Sequence, residues 1–173
     1  MSQMRRPPIV QVVGFKNSGK TTVVSGLVRR FGAQGLRVAT AKHHGHADDL
    51  DVPATDTALH RAAGACATAI ASAGLSAVWE PRELSLSELA DRLPPCDLVI
   101  AEGFKGANFP KWVLLRDEAD YPLLAQVTQA IGISAWFDCV HPTLPVLPLD
   151  DYDGIAKAIW RTIQLEDQLE RGW

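Results

Sequence analysis

The sequence predicts an α/β fold: a three-layer sandwich on a mostly parallel sheet, with helices on both faces and room for antiparallel additions. Three observations lead there. Residues 9–13 (IVQVV) are a short apolar run, residues 14–19 break it with a glycine at each end, and Val23, Val24, Leu27, Val28 and Phe31 then recur at helical spacing. Residues 36–42 read as a second strand, after a connection long enough for a parallel crossover. Further on, helical patterns continue to alternate with short apolar runs, and 173 residues fit one domain spanning positions 1–173.

Each element has its own signal. Gly32 and Gly35 end the first helix. Residues 43–53 are polar loop, after which Thr55 or Asp56 caps a short alanine-rich helix through Ala63 that Gly64 terminates. Residues 68–72 and 76–79 read as short strands around Gly74, and residues 84–93 as a helix stopped by Pro94 and Pro95. Residues 98–102 (LVIAE) are another buried strand, and 112–115, 124–127 and 130–135 read as strands as well. From Tyr152 to about Leu169 the chain is an amphipathic helix with Ile155, Ile159 and Ile163 on one face.

Composition narrows the function. Apolar residues at 47% and charged residues at 21% argue against disorder and against a membrane class. A net charge of −3 offers no broad footprint for a nucleic-acid backbone, so any polyanion must be met locally. The run at 9–13 is too short for a signal segment or a membrane span, and a cytoplasmic protein is expected. Cys66, Cys96 and Cys139 are widely spaced, outside any CxxC arrangement, and read as reduced thiols serving as small buried apolar groups.

Chemistry begins at residues 14–21 (GFKNSGKT), which match G-x-x-x-x-G-K-[ST] at every fixed position between a strand and a helix. This is a P-loop, and the predicted sandwich is that of a P-loop NTPase. Glycine lets the loop curl its N–H groups around an anion, and the following helix start adds further donors and a favourable dipole. Gly14, Asn17, Ser18, Gly19, Lys20, Thr21 and Thr22 are therefore the expected phosphate loop, with Lys20 reaching the β and γ phosphates and Thr21 ligating Mg²⁺. Glu102, at the end of a buried strand, is the acidic partner expected to touch the ion or orient attacking water.

Other residues carry weaker signals. Lys42 ends a strand at the same sheet edge and either adds a second positive charge near a bound anion or is solvated. His43, His44 and His46, followed by Asp48, Asp49 and Asp51, are either a metal- or phosphate-linked loop or an exposed polar one. Asp56 and His60 share a helix face, with Arg61 a step aside. The chain lacks the N-K-x-D code for guanine, which leaves Asp138, just beyond the last apolar strand, as a candidate acceptor for a guanine edge.

Taken together, the residues at 14–22, Lys42-His-His-Gly-His46, Asp51-Val-Pro53 with Asp56-Thr, Arg61-Ala-Ala-Gly-Ala65 and Glu102-Gly-Phe-Lys105 resemble the MobB family. These motifs cover about the first 105 residues of the chain. The resemblance implies a GTP-binding protein with weak hydrolysis, acting with Mg²⁺ as a homodimer. It also implies an accessory role beside molybdopterin guanylyltransferase and molybdenum enzymes, with molybdopterin or its guanine dinucleotide form as a further ligand. By the same resemblance Lys105 becomes an anion-binding candidate, and His43, Asp56 and Arg61 fall along a groove for nucleotide or pterin phosphate.

Two rival readings remain at this level. A small-molecule kinase would share the phosphate loop, but residues 103–126 hold only Arg116 for an arginine-bearing lid. A metal-delivery GTPase would use the histidines with Cys66.

Overall fold

The computed structural model of the chain describes residues 6–44 and 55–170, with the side chains of 165–170 left aside. They fall into two compact units. One holds the described residues up to His43 and those from Ser85 onward; the other holds the described residues within His44–Leu84.

The larger unit is a parallel five-stranded sheet of β1 (Ile9–Gly14), β2 (Val38–Lys42), β5 (Leu98–Glu102), β6 (Lys111–Leu115) and β7 (Ala130–Ala135), in the order β2-β5-β1-β6-β7. The strand feeding the P-loop is thus central, and the one ending in Glu102 is its neighbour, with Val12 in register with Glu102. A bridge between Ile133 and Val146 covers part of the open edge of β7.

Strand alternation assigns the two faces. Val10, Val12, Leu98, Ile100, Trp112 and Leu114 turn to one side. There they pack on Val23, Leu27 and Phe31 of α1 (Lys20–Gly32) and on Ile155, Ile159 and Ile163 of α5 (Tyr152–Glu170). On the other side Ile9, Ala41, Val99 and Ala101 meet Leu86 and Ala90 of α3 (Leu86–Arg92), while Val13, Val113, Leu115 and Ile133 meet Leu123 of α4 (Pro122–Gln126). This is the three-layer sandwich expected from the sequence. The start of α3 is fixed by a capping box between Ser85 and Glu88.

Residues 124–127 are not the strand their short apolar run suggested. Pro122 stands at the first helical position, where its fixed φ favours a helix, and residues 122–126 form α4; only Val127 is extended. The cysteines also differ from expectation: Cys66 is exposed in the turn after a helix, and Cys96 and Cys139 are half-buried. A 3-10 turn at Glu118–Asp120, held by Asp117 and Asp120, joins β6 to α4.

Two buried polar side chains shape the crossover from β5 to β6. Gln11, fully buried in β1, donates through Nε2 to the carbonyls of Gly103 (2.9 Å) and Phe104 (2.6 Å). Those two residues have φ of 89° and 55°, a left-handed turn that costs a non-glycine such as Phe104 about 1 kcal/mol or more. Lys111, also buried, donates through Nζ to the carbonyls of Ala107 (2.5 Å) and Phe109 (2.9 Å), and burial lowers its pKa. At the opposite sheet edge, Arg37 pairs with Asp97 at 2.8 Å and its hydrogen bonds hold that carboxyl down at about 2.

The smaller unit pairs α2 (Asp56–Ala62) with an antiparallel hairpin of β3 (Thr68–Ala71) and β4 (Ser76–Trp79). Of the two caps the sequence offered, Thr55 is the one that caps α2, through Ala58 N, and the Arg61 guanidinium lies over the Trp79 ring at 5.7 Å.

Candidate functional site: the phosphate loop and its acidic strand end

The loop between β1 and α1 has the features an anion needs. Asn17 (φ 63°) and Gly19 (φ 92°) are both left-handed, a conformation asparagine tolerates better than other side chains and glycine adopts freely. No side chain caps α1, and its first turn carries no carboxylate, so the N–H groups at its start are left to a ligand. Gly14 is required by packing: a Cβ there would overlap Ser18 Oγ and come within 3.0 Å of the Leu114 carbonyl. Ser18 is fully buried beneath the loop.

Glu102 ends β5 beside this loop and is 8% exposed. The Thr21 hydroxyl stands 3.1 Å from each of its carboxylate oxygens, and Lys42 Nζ lies 3.1 Å from Oε1. Lys20 folds back to donate to the Phe15 carbonyl at 2.6 Å. Burial lowers the Lys20 pKa; the Glu102 carboxylate opposes this, while Lys105 and Lys42 add to it. Lys105 Nζ sits 3.9 Å from the centre of the Phe15 ring, and burial lowers its pKa too. Lys20 and Lys42 thus share the Glu102 carboxylate, and Lys105, which feels Asp120, adds a third cation beside the loop.

The donor set fits both expected groups. Oxygens at adjacent corners of an octahedron with arms of about 2.1 Å lie about 3.0 Å apart, so Thr21 and Glu102 have the spacing of two neighbouring Mg²⁺ ligands. The lysines and the uncapped α1 start suit phosphate oxygens.

His43 joins this corner: its N–H donates to the Glu102 carbonyl at 2.9 Å, and its ring tilts against Phe104 at 5.1 Å. The turn leaves little room, since a Cβ on Gly103 would stand 3.2 Å from His43 Cβ. A cleft of about 420 Å³ opens beside the same corner between α1 and β2, walled in part by Thr21, Ser25, Thr40, Lys42 and Glu102. Thr22 is exposed on the first turn of α1.

The structure therefore brings together Gly14, Asn17, Ser18, Gly19, Lys20, Thr21, Lys42, His43, Glu102 and Lys105. Asp56 and Arg61 belong to the smaller unit, and Asp138 is exposed beyond β7. His46, Asp48, Asp49 and Asp51 lie outside the described residues. Among the described residues, no three His, Cys, Asp or Glu side chains converge as a metal cluster.

Comparison with known proteins decides the relationship. The model of the MobB family, described as molybdopterin guanine dinucleotide synthesis protein B, matches residues 9–136. The chain belongs to the MobB family. It is 36% identical to a probable molybdopterin-guanine dinucleotide biosynthesis adapter protein of Bacillus subtilis, over 87% of this chain and 91% of that protein. It is 30% identical to the adapter protein of Escherichia coli, over 92% and 95%. A crystal structure of Bacillus subtilis MobB superposes with a TM-score of 0.73 at 33% identity, covering 87% of this chain and 97% of that one. A MobB homologue from Bacillus stearothermophilus gives 0.68 at 31%, covering 91% and 98%. The MobB match includes both the P-loop and Glu102.

Trp136, which sequence reasoning passed over, also touches the P-loop. Its Nε1 donates to the Ser18 carbonyl at 3.0 Å. Its signal was only its position, directly after an apolar strand.

Proposed function

We propose that this MobB-family chain is a GTP-binding accessory protein of molybdenum cofactor biosynthesis, assisting the formation or delivery of molybdopterin guanine dinucleotide. The observation that carries the nucleotide reading is the Thr21–Glu102 pair at 3.1 Å beside Lys20. The naming of the relatives supports the pathway.

Gly14, Asn17, Ser18, Gly19, Lys20, Thr21 and Thr22 hold the phosphates, with Lys20 leaving the Phe15 carbonyl for a phosphate oxygen. Thr21 and Glu102 hold Mg²⁺, which when bound neutralises phosphate charge. Lys42 lines the cleft beside α1 and gives it a positive charge that suits the phosphate of a molybdopterin, while Lys105 and His43 serve as further polar contacts near the loop. Asp138 faces the guanine edge.

Hydrolysis is slow in this reading, because the cations beside Glu102 are Lys20 and Lys42 rather than an arginine finger, and Gln11 is committed to the Gly103 and Phe104 carbonyls. The protein is a switch or carrier in the cytoplasm, working as a homodimer in which each chain is one nucleotide-binding domain. Support for a partnered surface comes from Leu59, Ile70, Leu75 and Val78, all at least half exposed on the smaller unit. Among the described residues, no helix is long and apolar enough to cross a membrane.

The test is a reconstituted reaction of molybdopterin, molybdate, guanylyltransferase and Mg·GTP, followed by activation of an apo molybdenum enzyme. Adding the wild-type chain is expected to raise the yield of active enzyme, and Lys20→Ala to lose most of that gain. Equal yields with and without the chain would refute the accessory role.

A further inference from the structure

The two flanks of the P-loop differ in chemistry. On the β5 side stand Glu102, Lys42 and the Thr21 hydroxyl. On the β6–β7 side stands Trp136, the first residue after β7. Its backbone N–H donates to the Leu115 carbonyl at 3.1 Å and its Nε1 to Ser18 at 3.0 Å. Its ring is close enough that a Cβ on Gly19 would meet it at 3.4 Å, with Leu149 at the same distance. The residue is thus anchored through its backbone N–H and its indole Nε1, yet 61% of Trp136 is exposed. An aromatic side chain gains its stabilisation by covering its faces, and this one is fixed while remaining largely open.

We propose that Trp136 is the platform on which the nucleobase stacks. The inference rests on nucleotide binding at the P-loop. A nucleoside triphosphate is long, and Thr21 and Glu102 fix its metal-binding end on the β5 flank, so the base extends to the opposite flank. There the fixed, open indole offers a planar apolar face, and its Nε1 bond to Ser18 couples base contact to the loop that holds the phosphates. Stacking is tolerant of base identity, so Trp136 supplies affinity for purines and leaves the choice between them to polar groups.

The experiment compares calorimetric affinities of Mg·GTP, Mg·ATP and Mg·tripolyphosphate for wild type, Trp136→Ala, Trp136→Phe and Lys20→Ala. Trp136→Ala is expected to weaken both nucleotides about tenfold and to leave tripolyphosphate within about twofold. Trp136→Phe keeps a stacking face and should retain most nucleotide affinity. A loss for tripolyphosphate as large as for GTP would make Trp136 a brace of the loop and overturn the proposal. So would unchanged affinity for all three ligands in Trp136→Ala. If Lys20→Ala instead kept its affinity for all three, nucleotide binding at the P-loop would itself fall, a result separable from either Trp136 outcome.

Discussion

Glu102→Gln is expected to remove most of the gain in GTP affinity that Mg²⁺ provides, about tenfold or more, while leaving metal-free binding near the wild-type level. The carboxylate is 8% exposed and 3.1 Å from the Thr21 hydroxyl, and the substitution keeps its size and one carbonyl oxygen. What disappears is the charge, and a hard divalent cation depends on anionic oxygen for much of its affinity. Lys42, whose Nζ lies 3.1 Å from Oε1, is freed at the same time. Its positive charge then favours the phosphates, so affinity in EDTA should hold or rise slightly. Paired titrations in Mg²⁺ and in EDTA read the two effects separately. An unchanged Mg²⁺ gain would remove Glu102 from the metal site.

The largest effect on stability is expected at Gly132, far from any ligand. Gly132 is in register with Trp112, and a Cβ at 132 would overlap the six-membered ring of that tryptophan. Trp112 has nowhere to go: it is fully buried, and its Nε1 donates to Ser134 Oγ at 3.0 Å. Overpacking of this kind costs about 1–3 kcal/mol and more where neighbours cannot yield, so Gly132→Ala is expected to lose about 3 kcal/mol. For a chain of this size that lowers the midpoint of thermal unfolding by about 6–12 °C. Gly132→Ala with Trp112→Phe should recover part of the loss, because the smaller ring leaves room. A wild-type melting temperature for Gly132→Ala would show that the β6–β7 contact yields more than a close-packed interior should.

Much of the sandwich was legible because its signals are local. The G-x-x-x-x-G-K-[ST] spacing places a turn between strand and helix, and Ile155, Ile159 and Ile163 mark one face of α5, which is buried against the sheet. The candidate partnership of Lys20, Thr21 and Glu102 was legible for a different reason. In a parallel sheet, strands that run the same way end at one edge, so a carboxylate closing a buried strand is delivered to the P-loop.

What sequence reading missed depends on the third dimension. Gln11 looked like an interruption of an apolar strand, yet it holds the left-handed Gly103–Phe104 turn between Glu102 and Lys105. Lys111 is a charged residue in a fully buried strand, and only the returning carbonyls of Ala107 and Phe109 explain it. Residues 124–127 were ambiguous because a short apolar run suits either a strand or one helical turn, and Pro122 decided it. Trp136 gave no motif at all; its contact with Ser18 joins residues 118 positions apart.

Nucleotide binding at the P-loop is tested most directly by calorimetric titration of wild type and Lys20→Ala with Mg·GTP and Mg·ATP. Wild type should bind GTP in preference to ATP, and Lys20→Ala should weaken GTP by about 10- to 100-fold, as expected for losing a charge-assisted phosphate contact. GTP affinity that is equal in the two proteins would contradict the phosphate-loop site, and a wild-type preference for ATP would contradict the guanine reading.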